Sequence, residues 1–225
     1  MKKVLIVLLA CIASVVFAQE SETRNLESFT GVKVSEGISV YLKKGDKETA
    51  RVEVTGTKAS NVITEISGSY LKVHMRDGNY RNANAKVYVT YVSLDKLYAS
   101  SAGNIYSSET IKGNDMEINA SSAGTIEVVV EAGRLEASAS SAGDVEIKGK
   151  ARNVIVDASS AGEVDAYDLE ADDAEIEASS AGAVKISVKS GLDARASSGG
   201  SIRYRGNPDK SNTTSSSGGS VKKSN

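Results

Sequence analysis

From Leu97 to Ser220 apolar and polar positions alternate with a period of two, and that alternation recurs on a longer, nearly fixed period. In one repeat Leu135, Ala137, Ala139, Ser141, Gly143, Val145 and Ile147 alternate with Glu136, Ser138, Ser140, Ala142, Asp144 and Glu146. This is the pattern of strands with one face buried. The same parity places Met116 and Ile118 before Ile126 and Val128, Val154 and Val156 before Val164 and Ala166, and Leu192 and Ala194 before Ile202 and Tyr204. A helix would need apolar residues three and four apart, and these are two apart.

Between the paired strands lies a small-residue corner, Ala-Ser-Ser-Ala-Gly, at Ala99–Gly103, Ala120–Gly124, Ala139–Gly143, Ala158–Gly162 and Ala178–Gly182, decaying to Ala196–Gly200 and Ser215–Gly219. The closing glycines are 21, 19, 19, 20, 18 and 19 residues apart, a spacing typical of solenoid arrays. One such rung buries too little apolar surface to offset the entropy of ordering it, so only a parallel stack of rungs is stable. The expected fold is all-β, a single-stranded parallel β-helix. Parity points the second serine of each corner inward, at Ser101, Ser122, Ser141, Ser160, Ser180 and Ser198, where stacked hydroxyls would satisfy one another. The closing glycines Gly103, Gly124, Gly143, Gly162, Gly182 and Gly200 are expected to supply the backbone freedom of the corner.

From Phe29 to Tyr98 the alternation continues without the corner motif. Strands are expected at 29–34, 38–43, 51–56, 62–66, 70–75, 86–92 and 94–98, broken at Gly45-Asp46, Gly68-Ser69 and Asp77-Gly78. These would form irregular coils over residues 29–96 that cover the N-terminal end of the repeat region 97–220 and protect its open strand edge. At the other end the inward positions turn polar at Ser211, Thr213 and Ser215, and the chain closes on a short tail, 221–225.

These residues resemble a known family, the GIN head domain of adhesin type found in secreted proteins of Bacteroidetes-type bacteria. The resemblance rests on the opening Phe29-Thr-Gly-Val-Lys-Val-Ser-Glu-Gly-Ile-Ser-Val-Tyr-Leu-Lys-Lys-Gly45, on Val52-Glu-Val54, on the tandem Ser-Ser-Ala-Gly corners, and on Tyr204-Arg-Gly-Asn-Pro208. Ser39 stands where relatives often carry Asn. The resemblance implies a right-handed parallel β-helix and no established reaction.

The first eighteen residues read as a signal peptide: Lys2 and Lys3, an apolar run from Val4 to Phe17, and a small-residue cleavage pattern at Val16-Phe17-Ala18. The run is short for a membrane span. Leu8-Leu9-Ala10-Cys11 faintly resembles a lipoprotein processing site, the alternative to simple cleavage. Residues 19–28 are polar and read as a flexible leader. Cleavage shifts the formal net charge from −2 to −4, with 25 basic against 29 acidic residues, and removes the sole cysteine. Thiol catalysis and thiolate metal sites are thereby excluded from the mature chain, and no basic footprint for nucleic acid is present.

Candidate chemistry is sparse, and no cofactor is implied. The single histidine, His74, falls on an outward position, and the serines belong to a structural repeat, so a Ser-His-acid triad is disfavoured. Glu127, Glu146 and Asp165 stack in one outward column, continued by Lys185 and Arg203; Glu117, Glu136, Glu175 and Asp193 form another, interrupted by Ile155. Such columns read mainly as solubilising faces, with a weak divalent-cation site at Glu127, Glu146 and Asp165 as the functional alternative. Tyr88, Tyr98 and Tyr106, with Tyr41 beside them, are candidate ligand-binding aromatics near the start of the regular rungs; the competing reading packs them under a long loop, residues 107–115. The sequence therefore points to an exported, non-enzymatic β-helix at the periplasm, outer-membrane surface or medium, presenting a repetitive surface to a protein or glycan partner. The alternatives are a polysaccharide-active β-helix enzyme and a passive spacer.

Overall fold

The computed structural model describes residues 20–224; the expected signal segment and Cys11 lie outside the described residues. The alternating segments form strands throughout. In the N-terminal region these are β1 (Glu20–Asn25), β2 (Gly31–Val34), β3 (Ser39–Lys44), β4 (Thr49–Thr55), β5 (Val62–Ser67), β6 (Tyr70–Met75), β7 (Asn84–Tyr91) and β8 (Lys96–Ala99). All seven strands expected between Phe29 and Tyr98 are present. The repeats follow as long bent strands, β9 (Asn104–Ala120), β10 (Thr125–Ala139), β11 (Asp144–Ala158), β12 (Glu163–Ala178) and β13 (Ala183–Ala196), then β14 (Ser201–Arg205), β15 (Lys210–Ser215) and β16 (Ser220–Lys223). Successive rungs pair parallel and nearly residue for residue, as in Ile126↔Val145 and Leu135↔Val154. The result is a β-solenoid of about seven turns. Its core is the stack of inward residues, with Ile105, Ile126, Val145, Val164, Val184 and Ile202 each fully buried on one line.

The corner differs from the parity expectation. Ser141 and Ala142 both adopt left-handed backbone, at φ 49° and 60°, and the same pair recurs at every corner from Ser101 onward. Two left-handed residues in succession swing both side chains out, so Ser101, Ser122, Ser141, Ser160, Ser180 and Ser198 are exposed and form no inward hydroxyl ladder. What runs from rung to rung is the peptide itself: Ala123 N–H donates to the Ser141 carbonyl and Ala142 N–H to the Ser160 carbonyl, each at 3.1 Å. The closing glycines have a different task from the one expected. None of them lies at positive φ; a Cβ on Gly143 would stand 2.4 Å from the Ala120 carbonyl oxygen and 2.5 Å from its carbon. Glycine is there because the previous rung's backbone occupies that space.

An eighth corner precedes the recognisable ones. Ser35-Glu36-Gly37 joins β2 to β3 with Glu36 and Gly37 left-handed at φ 61° and 71°, and Gly37 N–H donates to the Ser101 carbonyl at 3.1 Å. The β2–β3 coil stacks parallel on β8 and β9, and the later β6–β7 coil stacks outside it, so spatial order departs from chain order. Beyond these coils the sheet ends in antiparallel strands: β5 on β6, β4 on β7, and β1 on β4.

Residues 19–28 are accordingly not a flexible leader across their length. Glu20–Asn25 pairs with β4 over six residues, and Arg24 donates to the carbonyls of Val62 at 2.7 Å and Ala59 at 2.9 Å. The strand is polar because it is the outermost one, with solvent on most of its surface.

The long loop expected at 107–115 is instead part of β9. Its 21-residue step comes from a bulge, in which Ser107, Ser108 and Glu109 stand opposite the single residue Val128. The Ser107 hydroxyl donates to the Glu109 carbonyl at 2.8 Å, and the Glu109 carboxylate accepts from Lys44 N–H at 3.2 Å.

Candidate functional site

The bend divides each rung into two halves, and parallel register turns every outward position into a column along the stack. The column that contains the predicted residues runs Arg51, Tyr88, Tyr41, Tyr106, Glu127, Glu146, Asp165, Lys185, Arg203, Lys222, crossing from β4 to β16 without a break. One cation, three phenols, three carboxylates and three cations follow one another at the inter-strand spacing of about 4.8 Å.

The three tyrosines form a ring stack. Tyr41 lies between Tyr88 and Tyr106, with centroids 5.2 Å and 5.3 Å away and interplanar angles of 20° and 27°. Arg51 covers the far face of Tyr88 at 4.3 Å. Both faces of Tyr41 and Tyr88 are therefore occupied, and Tyr106 alone keeps a face toward the next rung. Its hydroxyl is pushed above the ordinary phenol range, chiefly by burial and then by the Glu127 carboxylate and Tyr41.

Tyr98 does not join this group. It sits on the other half of the rung, 37% exposed, opposite Lys33, whose ammonium lies 5.2 Å from the Tyr98 centroid and 4.0 Å from that of Tyr70. The expected trio is thus a pair, Tyr88 and Tyr106, joined through Tyr41. Arg51, Lys33 and Tyr70 escaped the sequence reading, although their positions on alternating strands gave the signal.

Glu127, Glu146 and Asp165 do fall in one column, as expected. Asp165 is held by the Lys185 ammonium at 3.1 Å, Lys185 also reaches Glu163 at 2.7 Å, and Glu146 pairs with Lys148 at 2.7 Å. The Glu127 side chain makes no hydrogen bond or close ion pair among the described residues and feels the Lys148 ammonium only through space. Among those residues no three acidic or imidazole side chains gather as a metal-holding group. The neighbouring column holds Asp144 beside Glu163, and burial first, then Glu163, Glu146 and Asp165, push the Asp144 carboxyl up. The second acidic column keeps its predicted register, Glu117, Glu136, Ile155, Glu175, Asp193, and Arg195 spans Asp193 at 2.8 Å and Glu175 at 3.4 Å.

Grooves lie beside the first column and elsewhere along the rungs. A groove of about 360 Å³ lies between Tyr106, the Ser107-Ser108 bulge, Glu127, Glu146 and Lys148. A larger one of about 810 Å³ runs along the bend, floored by Gly113, Ala132 and Ala151, with Lys112, Glu131, Lys150 and Glu170 alternating beside it. There Lys112 meets Glu131 at 2.8 Å and Lys189 meets Glu170 at 2.9 Å, and Lys150 stands in register between the two acids. His74 lies on β6 away from both grooves, with Nδ1 2.9 Å from the Met75 carbonyl oxygen.

The protein is thus a parallel β-solenoid with a stacked aromatic column that passes into graded charge along one side. The chain belongs to the family described as "Putative auto-transporter adhesin, head GIN domain", whose model matches residues 28–208. Among solved structures it is similar to a putative adhesin from Bacteroides fragilis, with a TM-score of 0.83 at 15% identity, covering 92% of this chain and 97% of that one. A putative adhesin from Parabacteroides distasonis aligns at TM-score 0.73 and 18% identity with the same coverage of both chains. A putative lipid binding protein from Parabacteroides distasonis aligns at TM-score 0.67 and 22% identity, again over 92% of this chain and 97% of that one. No curated protein sequence matches this chain.

Proposed function

We propose that this protein is an exported, non-enzymatic β-solenoid of the cell envelope that offers its outer columns to a protein or glycan partner. The single observation carrying this reading is the column of stacked tyrosines passing into carboxylates and then cations on an exposed side of the solenoid. Its backbone is fixed by inter-rung hydrogen bonds on both sides, so the side chains are pre-ordered and lose little freedom when a partner docks. The adhesin names carried by the family and by two of the structural relatives agree with this reading.

A polysaccharide-active enzyme would need a carboxylic acid and a carboxylate facing each other across a cleft. Asp144 has the raised pKa such an acid requires, but its neighbours Glu163 and Asp165 are engaged by Lys185, and the three lie in two adjacent columns of one outward face rather than across a gap. The test is a glycan and envelope-protein array probed with the mature chain, 19–225, beside Tyr41→Ala and Tyr106→Ala. Binding that falls at least ~10-fold in both variants is expected, the loss of aromatic contacts of this kind. Release of reducing sugar from any bound glycan would overturn the non-enzymatic reading, and capture unchanged by either variant would move the site elsewhere.

A further inference from the structure

The solenoid treats most of its outward tyrosines alike. Arg51 lies over Tyr88, Arg205 over Tyr167 at 3.9 Å, and Lys33 over both Tyr70 and Tyr98. Arg51 and Lys33 reach Tyr88 and Tyr98 from directly paired positions on the adjacent strand. Tyr106, at the end of the ring stack, has no cation over it among the described residues. Its paired position on β10 holds Glu127, a carboxylate, and among the described residues neither a ring nor a cation covers the face of Tyr106 turned that way. The groove of about 360 Å³ opens at this place, with the Ser107-Ser108 bulge as one wall.

Two half-sites thus meet in the groove. An aromatic face attracts a cation through its ring quadrupole, and a carboxylate one rung away attracts it through charge. The Lys148 ammonium pairs with Glu146 and acts on Glu127 only through space, so the Glu127 carboxylate keeps its oxygens for a ligand's cation.

We propose that Tyr106 and Glu127 form a receptor site for an arginine or lysine side chain of a basic segment on a partner protein, the cation lying on the ring and pairing with the carboxylate. This rests on the surface-display reading above and names the chemistry of the partner. It reproduces between molecules the arrangement that Arg51 and Tyr88 make within this one.

The experiment follows the Tyr106 ring resonances of the mature chain while acetyl-arginine-amide is added, with acetyl-citrulline-amide and a methyl glycoside as uncharged controls. The expected result is a saturable shift with the arginine probe that is ~5- to 10-fold weaker with citrulline, consistent with a desolvated cation–π contact reinforced by one ion pair. Glu127→Gln should weaken the arginine response ~3- to 5-fold, and Tyr106→Leu should abolish perturbation of the neighbouring Glu127 and Ser108 signals, whereas Tyr106→Phe should retain it. Phe keeps the ring, so a variant that merely misfolds is told apart from one that has lost the face. Absence of any response to arginine, or a methyl glycoside shifting Tyr106 equally in the parent and in Glu127→Gln, overturns the cation site. Array binding that still depends on Tyr41 in that case would leave the display reading standing.

Discussion

At the corner, two neighbouring residues carry opposite requirements. Ala142 bears a Cβ in left-handed backbone, which costs roughly 1–2 kcal/mol, while Gly143 has ordinary backbone but no room for a Cβ. Gly143→Ala is therefore expected to destabilise by about 3 kcal/mol, since the blocking atoms are backbone of the previous rung, and Ala142→Gly to stabilise by about 0.5–1 kcal/mol. The chain makes the second exchange itself at Gly199 and Gly218, where φ is 77° and 78°. Denaturant midpoints of the two variants check both signs. Ser141 separates the observed corner from the parity expectation: Ser141→Val lowers the midpoint on either account, but Ser141→Gly raises it only if the serine is exposed and left-handed. Alternation alone could not show this, because two successive left-handed residues invert the side chains and then restore the parity, leaving Val145 and Ile147 inward as expected.

At the scale of the strand, period-two patterning located β2 to β8, since each must bury one face, and missed the polar β1, which is exposed over most of its length. It could not order them in space. The β2–β3 coil is sandwiched between chain segments that come later, and nothing in a local pattern records which strand pairs with which. The Ser35-Glu36-Gly37 corner was hidden for a related reason: left-handed backbone tolerates Glu-Gly as well as Ser-Ala, so geometry persisted where the letters changed. Of the candidate site, the column Glu127, Glu146, Asp165 followed from the repeat period, whereas the stacking of Tyr41 between Tyr88 and Tyr106 depended on the unrecorded coil order. Strand β11 also carries a titration signature. Burial first, then Glu177, Glu136 and Glu175, push the Asp157 carboxyl up in the folded chain. A raised carboxyl pKa gives stability that is full below the ordinary aspartate range and is lost as pH rises through the folded value. Asp157→Asn should hence raise the melting temperature at neutral pH, with the gain shrinking toward zero as the pH falls below the aspartate range; a gain that persists in acid would assign it to packing instead.

For the whole molecule the governing problem is that a stack of identical rungs has no intrinsic end. Every rung offers its successor a row of N–H and C=O groups and an apolar cross-section, and a second molecule supplies both as well as another rung does. At the N-terminal end the sheet closes with antiparallel strands and the polar β1, tied down by Arg24. At the C-terminal end Ser211, Thr213 and Ser215 continue the lines of Leu192, Ala194 and Ala196, so β15 keeps the register but not the apolar face, and only Val221 on β16 still packs against the core. This last coil is also tied back to the body: Arg205 lies over Tyr167, and the Tyr167 hydroxyl is 2.8 Å from that of Ser224. The polar inward positions are then what prevents end-to-end growth, because backbone pairing alone gives little net stability in water and an apolar seam is needed to sustain it. Replacing the three residues together, Ser211→Leu, Thr213→Val and Ser215→Ala, restores the seam without altering the strand. Light scattering on purified protein should show the parent chain monomeric and the triple variant associating with rising concentration. Removing Glu20–Asn25 from the parent should act at the other end by uncovering β4, and combining both changes should give longer assemblies than either alone. A triple variant that stays monomeric at every concentration would mean that the edge is guarded by the Tyr167 tether and the basic side chains Lys222 and Lys223, not by the polarity of the final coil.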